Sequence, residues 1–274
     1  MALTRAGRKT WSWGGKVAVV TGASSGIGAQ LALDLARRGV TDVGVARRRP
    51  ELESVMERCR RLAPASRAHV ADLAEEDAAE AVVRAAEAES GRIDLLVNNA
   101  AIPMRVHGTR ITTDQVRRAM DVNFMTAVRT TLSALPAMLE RGSGHVVNVA
   151  SVAGRIGSPR ESAYTASKFA MVGWTDVMAA DLVGTGVRLH LVHPGPIDTE
   201  IWDKLDEPAA FSGRLHSPAK VSASIMRTVE RGAHETWVPA SMSFLPFVRA
   251  AVPRAFVSAA GWFDRRTAER SGRA

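Results

Sequence analysis

Apolar, β-branched runs recur along the chain from residue 16: KVAVVT, TDVGVA, SRAHVA, IDLLVN, GHVVNVAS, VRLHLVH and ETWVP, with a stretch long enough for a helix between each and the next. A strand wetted on one face alternates apolar and polar residues, whereas a strand covered on both faces reads as a continuous apolar run. These runs are of the second kind. They predict a seven-stranded parallel sheet with right-handed helical crossovers on both faces, a doubly wound α/β fold. A chain of 274 residues with 46% hydrophobic content suits one such domain with its own core. Residues 16–240 are assigned to it. Residues 1–15 are a basic, glycine-bearing lead-in carrying Trp11 and Trp13, expected to be partly ordered.

Two segments fall outside the alternation. Residues 199–218 form a long, breaker-rich insertion after the sixth strand that holds Trp202, Leu205, Phe211 and Leu215. Loops of that length inside a compact domain are often active-site lids. In the extension 241–274, Phe244, Val248, Ala251, Val252, Ala255, Ala259 and Trp262 align at helical spacing, with Arg249, Arg254 and Arg265 elsewhere and Pro246 and Pro253 interrupting the pattern. Such a stripe suits an anionic membrane surface, the protein's own core or a sister subunit, and peripheral membrane contact is kept as one alternative.

The formal charge of +8 raises the question of an acidic partner. The basic residues are dispersed, with small clusters at Arg47–Arg49 and Arg265–Arg266 and no stripe interleaved with aromatics, so nucleic-acid binding is not expected. No apolar run approaches the ~18 residues of a membrane span, and the first twenty residues lack a secretory core, which points to the cytoplasm. The single cysteine, Cys59, falls in a helical stretch, and the seven histidines show no metal-ligand spacing; no metal site is expected.

Two constellations carry chemistry. Directly after the first strand stands Thr21-Gly22-Ala23-Ser24-Ser25-Gly26-Ile27-Gly28, followed by a helix. Glycines in a strand-to-helix turn permit positive φ, admit a pyrophosphate close to the backbone and aim the helix N-terminus at it. Tyr164, the only tyrosine, stands four residues before Lys168. On a helix that spacing puts both on one face, where the ammonium can favour the ionised phenol and make it a general acid or base.

With these motifs, in order along residues 16–240, the chain resembles the short-chain dehydrogenase/reductase family. The resemblance rests on Thr21-Gly22-x-x-x-Gly26-x-Gly28, Asp72, Asn98-Asn99-Ala100, Asn123, Ser151, Tyr164-x-x-x-Lys168, and Pro194-Gly195 with Thr199. Ala101 departs from it, since the family usually has glycine there. The resemblance implies a Rossmann-like domain and a nicotinamide cofactor held by Gly22, Ser24, Ser25, Gly26, Ile27, Gly28, Asp72, Leu73, Asn98, Ala100, Tyr164, Lys168, Pro194, Gly195, Ile197 and Thr199. Tyr164 is then the proton donor or acceptor, Ser151 holds the substrate oxygen, Lys168 supports the phenolate and bonds the nicotinamide ribose, and Asn123 anchors a relay water. It also implies a homodimer or homotetramer.

At the end of the second strand, where an acid would bind the adenosine ribose of NAD, stand Ala46, Arg47 and Arg48. A guanidinium there suits a 2′-phosphate, so NADP(H) is expected over NAD(H). Apolar candidates for the substrate walls, among them Ile102, Met104, Val106, Ile156, Trp202 and Leu205, suit a hydrophobic secondary alcohol or ketone. A β-ketoacyl carrier-protein or CoA thioester reductase is the alternative enzyme, and a non-catalytic cofactor sensor the alternative of another class.

Overall fold

The structure is a computed structural model, and it describes residues 11–75, 77–205, 207 and 214–270. Seven strands form one parallel sheet: β1 (Val17–Thr21), β2 (Thr41–Ala46), β3 (Arg67–Val70), β4 (Leu95–Asn98), β5 (Gly144–Val149), β6 (Val187–Pro194) and β7 (Glu235–Val238). Their spatial order is β3-β2-β1-β4-β5-β6-β7. All seven apolar runs are therefore strands, and the Rossmann-like α/β class is borne out. Every residue of β1, β4 and β5 is buried, which is why those runs carry no alternation.

Helices cover both faces. On one, α1 (Gly26–Ala36), α2 (Arg49–Arg60) and α7 (Pro218–Arg231) bring Leu31, Leu35, Leu52, Val221 and Ile225 onto β1, β4 and β6. On the other, α3 (Ala78–Ser90), α5 (Thr126–Glu140) and α6 (Ser162–Asp181) bring Val82, Val83, Met138 and Met178 against the cluster of Val19, Leu96 and Leu189. A shorter helix, α4 (Thr113–Met120), opens with a capping box between Thr112 and Gln115 and leads through a widened π turn, Asp121–Met125, into α5. Because β2 and β3 extend one way from β1 and β4 onward the other, the strand order reverses between β1 and β4. A crevice forms there at the carboxyl ends of the strands.

Where it is described, the lead-in packs on the domain. Trp13 is buried and its indole N–H donates to Glu230 on α7 at 2.7 Å. The Trp11 ring packs edge-on against Trp13 and His145, at 5.6 and 4.3 Å between centroids. Residues 11–15 thus dock at the amino-terminal edge of the sheet, because two indoles supply enough apolar area to hold a short segment.

In the extension, the prolines start helices instead of breaking one. Pro246 lies in the first turn of α8 (Leu245–Ala251) and Pro253 opens α9 (Pro253–Arg270), positions where the missing N–H costs nothing. In the insertion after β6, Trp202–Lys204 form a 3-10 turn, and Ile197 bridges to His216; Phe211 lies outside the described residues. No helix among the described residues is long and apolar enough to cross a membrane.

Candidate active site

A cleft of about 930 Å³ occupies the crevice. Its first half is built by the turn between β1 and α1. Gly22 has φ +69° and Gly26 φ +55°, so both need the freedom of glycine. A Cβ on Gly22 would stand 2.9 Å from the Asn99 amide, and one on Gly26 would stand 3.0 Å from Thr199. Gly28 does a different job: it is buried, and a Cβ on it would stand 2.3 Å from the Gly22 carbonyl, so it lets α1 press against the turn. Ser25, the residue before α1, makes no side-chain cap. The first N–H groups of α1 therefore face the cleft without a side-chain partner, which suits a phosphate. Gly22, Ser24, Ser25, Gly26 and Ile27 line this half, and Gly28 does not.

The rim carries the residues expected at the adenosine end. Arg47, Arg48, Asp72 and Leu73 all line the cleft. Arg47 reaches Asp72 at 3.5 Å; Arg48 reaches Glu51 at 3.2 Å and Glu200 at 3.0 Å. After β4, Asn99, Ala100 and Ala101 line the cleft, while Asn98 lies beneath it, 3% exposed. Its amide nitrogen donates to Asn148 Oδ1 at 2.8 Å and Thr131 Oγ1 at 3.1 Å, and its oxygen accepts from Thr130 at 2.7 Å. Asn148 continues the chain to Thr175 on α6 at 2.8 Å. Asn98 thus ties β4 to β5, α5 and α6. Pro194, Gly195, Ile197 and Thr199 line the far wall after β6.

Tyr164, Lys168 and Ser151 meet at the floor. Ser151, just past β5, lines the cleft with Tyr164, and its hydroxyl accepts from Ala153 N at 3.1 Å. Lys168, one turn along α6, is 2% exposed; its Nζ donates to the Val149 carbonyl at 2.9 Å and stands 5.8 Å from the Tyr164 ring centroid. Burial pulls the ammonium down to about 8. Burial pushes the phenol up to about 12, against the opposing effect of the Ser151 hydroxyl and with a small contribution from Glu161. Burial thus favours the protonated phenol.

Asn123 sits in the widened turn, fully buried. Its Oδ1 accepts from Ile102 N at 2.8 Å, and its amide nitrogen donates to Ile102 O and to Ser167 Oγ, both at 3.1 Å. It braces the loop after β4 against α6. Behind Ser151, the buried His193 donates from Nδ1 to the Ser151 carbonyl at 3.0 Å, and its Nε2 is 2.8 Å from Glu235 Oε1. His193 and Arg155 hold the Glu235 carboxyl below the ordinary carboxylate range.

The second half of the cleft is apolar, with Ile102, Met104, Ile156, Trp202 and Leu205 among its lining. The sequence did not reveal that Ala260, Trp262, Phe263, Asp264 and Arg266 of α9 also face it. Arg160 holds Asp264 at 2.9 and 3.0 Å and Glu207 at 2.7 Å, and the buried Arg105 reaches Glu161 at 3.2 Å and Asp264 at 3.5 Å. This clasp joins the loops after β4, β5 and β6 to α9. Its partners are far apart in sequence and carry no local pattern. Asn99 did carry one: it follows Asn98 directly, and consecutive residues of an extended chain point to opposite sides.

A seven-stranded Rossmann-like sheet, a glycine turn and a Ser-Tyr-Lys floor define a nicotinamide-dependent oxidoreductase. A family profile described as short chain dehydrogenase matches residues 16–210, and the chain belongs to that family. It is 34% identical over 224 residues to an uncharacterized oxidoreductase of Myxococcus xanthus, covering 82% of this chain and 87% of that one. It is 36% identical over 231 residues to the ketoacyl reductase HetN of a Nostoc species (82% and 78%), and 33% identical over 219 residues to the 3-oxoacyl-[acyl-carrier-protein] reductase FabG of Thermotoga maritima (77% and 89%). Among solved structures, a short chain dehydrogenase/reductase of Burkholderia phymatum in complex with NAD superimposes with a TM-score of 0.82 at 24% identity, covering 89% of this chain and 96% of that one.

Proposed function

We propose that the protein interconverts a hydrophobic secondary alcohol and its ketone with NADP(H), Tyr164 serving as general acid and base. The observation that carries this reading is the meeting of Ser151, Tyr164 and Lys168 in one cleft, at the junction of the phosphate-ready turn and its apolar half. A bound nicotinamide supplies or accepts the hydride. In reduction Tyr164, protonated at rest, gives its proton to the carbonyl oxygen while the Ser151 hydroxyl donates to the same oxygen as charge develops on it. In oxidation both roles reverse. Lys168 holds the nicotinamide ribose and returns a proton to Tyr164. Asn123 anchors the water that leads from Lys168 to solvent; with its amide committed to Ile102 and Ser167, that contact falls to its main chain.

The NADP(H) preference is supported by Arg47 and Arg48 and by the missing acid at the end of β2. Their present partners, Asp72, Glu51 and Glu200, form exposed pairs of the kind that contribute little, so a dianionic phosphate can displace them. Each guanidinium–phosphate contact adds about 1.5–3 kcal/mol, roughly tenfold to a hundredfold in affinity. Ser24, Ser25, Asp72, Leu73, Ala100, Pro194, Gly195, Ile197 and Thr199 complete the cofactor contacts. The protein works in the cytoplasm as a homodimer or homotetramer, a reading supported by Leu132 of α5 and by Phe169 and Val177 of α6, all exposed.

A second reading, a β-ketoacyl thioester reductase, is favoured by the names of the Nostoc and Thermotoga relatives. Both readings are tested by following NADPH and NADH oxidation at equal concentration with hydrophobic ketones and β-ketoacyl thioesters. The account predicts turnover at least about tenfold faster with NADPH at limiting cofactor, with ketones ahead. Thioesters ahead would establish the second reading. NADH ahead would overturn the cofactor assignment, and cofactor binding without turnover of any carbonyl would favour the sensor.

A further inference from the structure

Seven of the fourteen exposed large apolar side chains among the described residues lie between positions 244 and 263: Phe244, Phe247, Val248, Val252, Val257, Trp262 and Phe263. Phe247 is 76% exposed, Val257 67% and Phe263 64%. Scattered single residues of this kind need no partner, but a run of them on two packed helices does. The polar residues between them indicate its chemistry. Arg249, Arg254, Arg265 and Arg266 share the segment, and none makes an ion pair among the described residues. Its one acid from 245 to 266, Asp264, is already held by Arg160 and Arg105. Arg266 lies over the Trp262 ring at 4.6 Å and Arg249 over Phe169 at 6.0 Å, so two guanidiniums border the aromatics at the surface.

We propose that α8 and α9 dock on an anionic lipid bilayer. Aromatics bordered by arginines that make no ion pair among the described residues match the boundary between acyl chains and acidic headgroups, where both the apolar area and the charge are satisfied. A second copy fits less well, because a two-fold contact through this face would bring its arginines together, and the one acid of residues 245–266, Asp264, is already committed to Arg160 and Arg105. The surface is also continuous with the substrate half of the cleft: Leu245, Ala260, Trp262 and Phe263 line that cavity from the same two helices. Asp264 pins α9 to the body through Arg160 and Arg105, so docking places the mouth of the cleft against the membrane. A hydrophobic substrate then passes from bilayer to cleft without crossing water. The docking itself does not depend on the assigned reaction.

The test is sedimentation of the full-length protein with POPC vesicles and with POPC/POPG 3:1 vesicles. Four arginines near an acidic surface predict partitioning at least about tenfold stronger on the POPG vesicles at low salt, and most of that gain lost in about 0.5 M NaCl. The double variant Phe247→Asp/Val257→Asp, whose sites do not line the cleft, should lose binding to both vesicles while keeping its thermal unfolding midpoint. Should that variant unfold, Arg249→Ser/Arg254→Ser takes its place and should weaken POPG binding at least about threefold while leaving POPC binding unchanged. Wild-type protein that stays in solution with both vesicles, or variants that bind as wild type does, would overturn the proposal. So would an assembly that wild type forms and the folded variants do not, since the face would then belong to a second copy.

Discussion

At the residue scale, the floor of the cleft is expensive to build. Lys168 buries an ammonium against a single carbonyl, and burial draws its value from an ordinary 10.5 to about 8. Between those values the unfolded chain binds more protons than the folded one, so stability rises with pH across that window and the cost of the buried charge is felt in full below it. The predicted consequence is a stability difference between wild type and Lys168→Met that shifts toward wild type by about 3 kcal/mol from pH 8 to 10.5. Urea unfolding of the cofactor-free proteins measures it; parallel curves for the two would show that Lys168 is not desolvated. Comparison with the variant cancels the Cys59 thiol, which burial pushes up to about 12 and whose effect runs the opposite way. Tyr164 was legible because a lone tyrosine four residues before a lysine is a pattern within one helix turn. Its protonation was not legible, because desolvation depends on what the rest of the chain places over it.

At the scale of elements, the strands were legible and some contacts were not, for one reason. A strand buried on both faces leaves its mark in consecutive residues, whereas a side chain's direction depends on its neighbours in space. Asn98 shows the difference. The family resemblance puts it among cofactor contacts, yet its amide is spent on Asn148, Thr131 and Thr130. Asn98→Ala should therefore lower stability by about 1–3 kcal/mol, the cost of leaving buried partners unsatisfied, while changing NADPH affinity less than about twofold. Chemical denaturation and fluorescence titration separate the two effects. A loss of affinity with unchanged stability would return Asn98 to the cofactor site. The prolines of the extension teach the same lesson: Pro246 and Pro253 read as interruptions because sequence does not say where a helix begins.

At the scale of the whole molecule, the reversal of strand order between β1 and β4 brings the motifs of five separate loops to one crevice. The insertion after β6 and helix α9 then wall its apolar half. The clasp of Arg105 and Arg160 with Glu161, Glu207 and Asp264 joins these walls, and its longest link, Arg105 to Asp264, spans 159 residues. That closure was invisible in the sequence, where the extension read as an amphipathic appendage. The central claim remains the proton carried by Tyr164. Its most direct test is single-turnover NADPH oxidation with the best ketone, wild type against Tyr164→Phe, with cofactor affinity measured on both. The account predicts a rate lower by about 10²–10⁴-fold in the variant with NADPH affinity held within a few-fold. A variant that binds NADPH and reduces the ketone at the wild-type rate would contradict it.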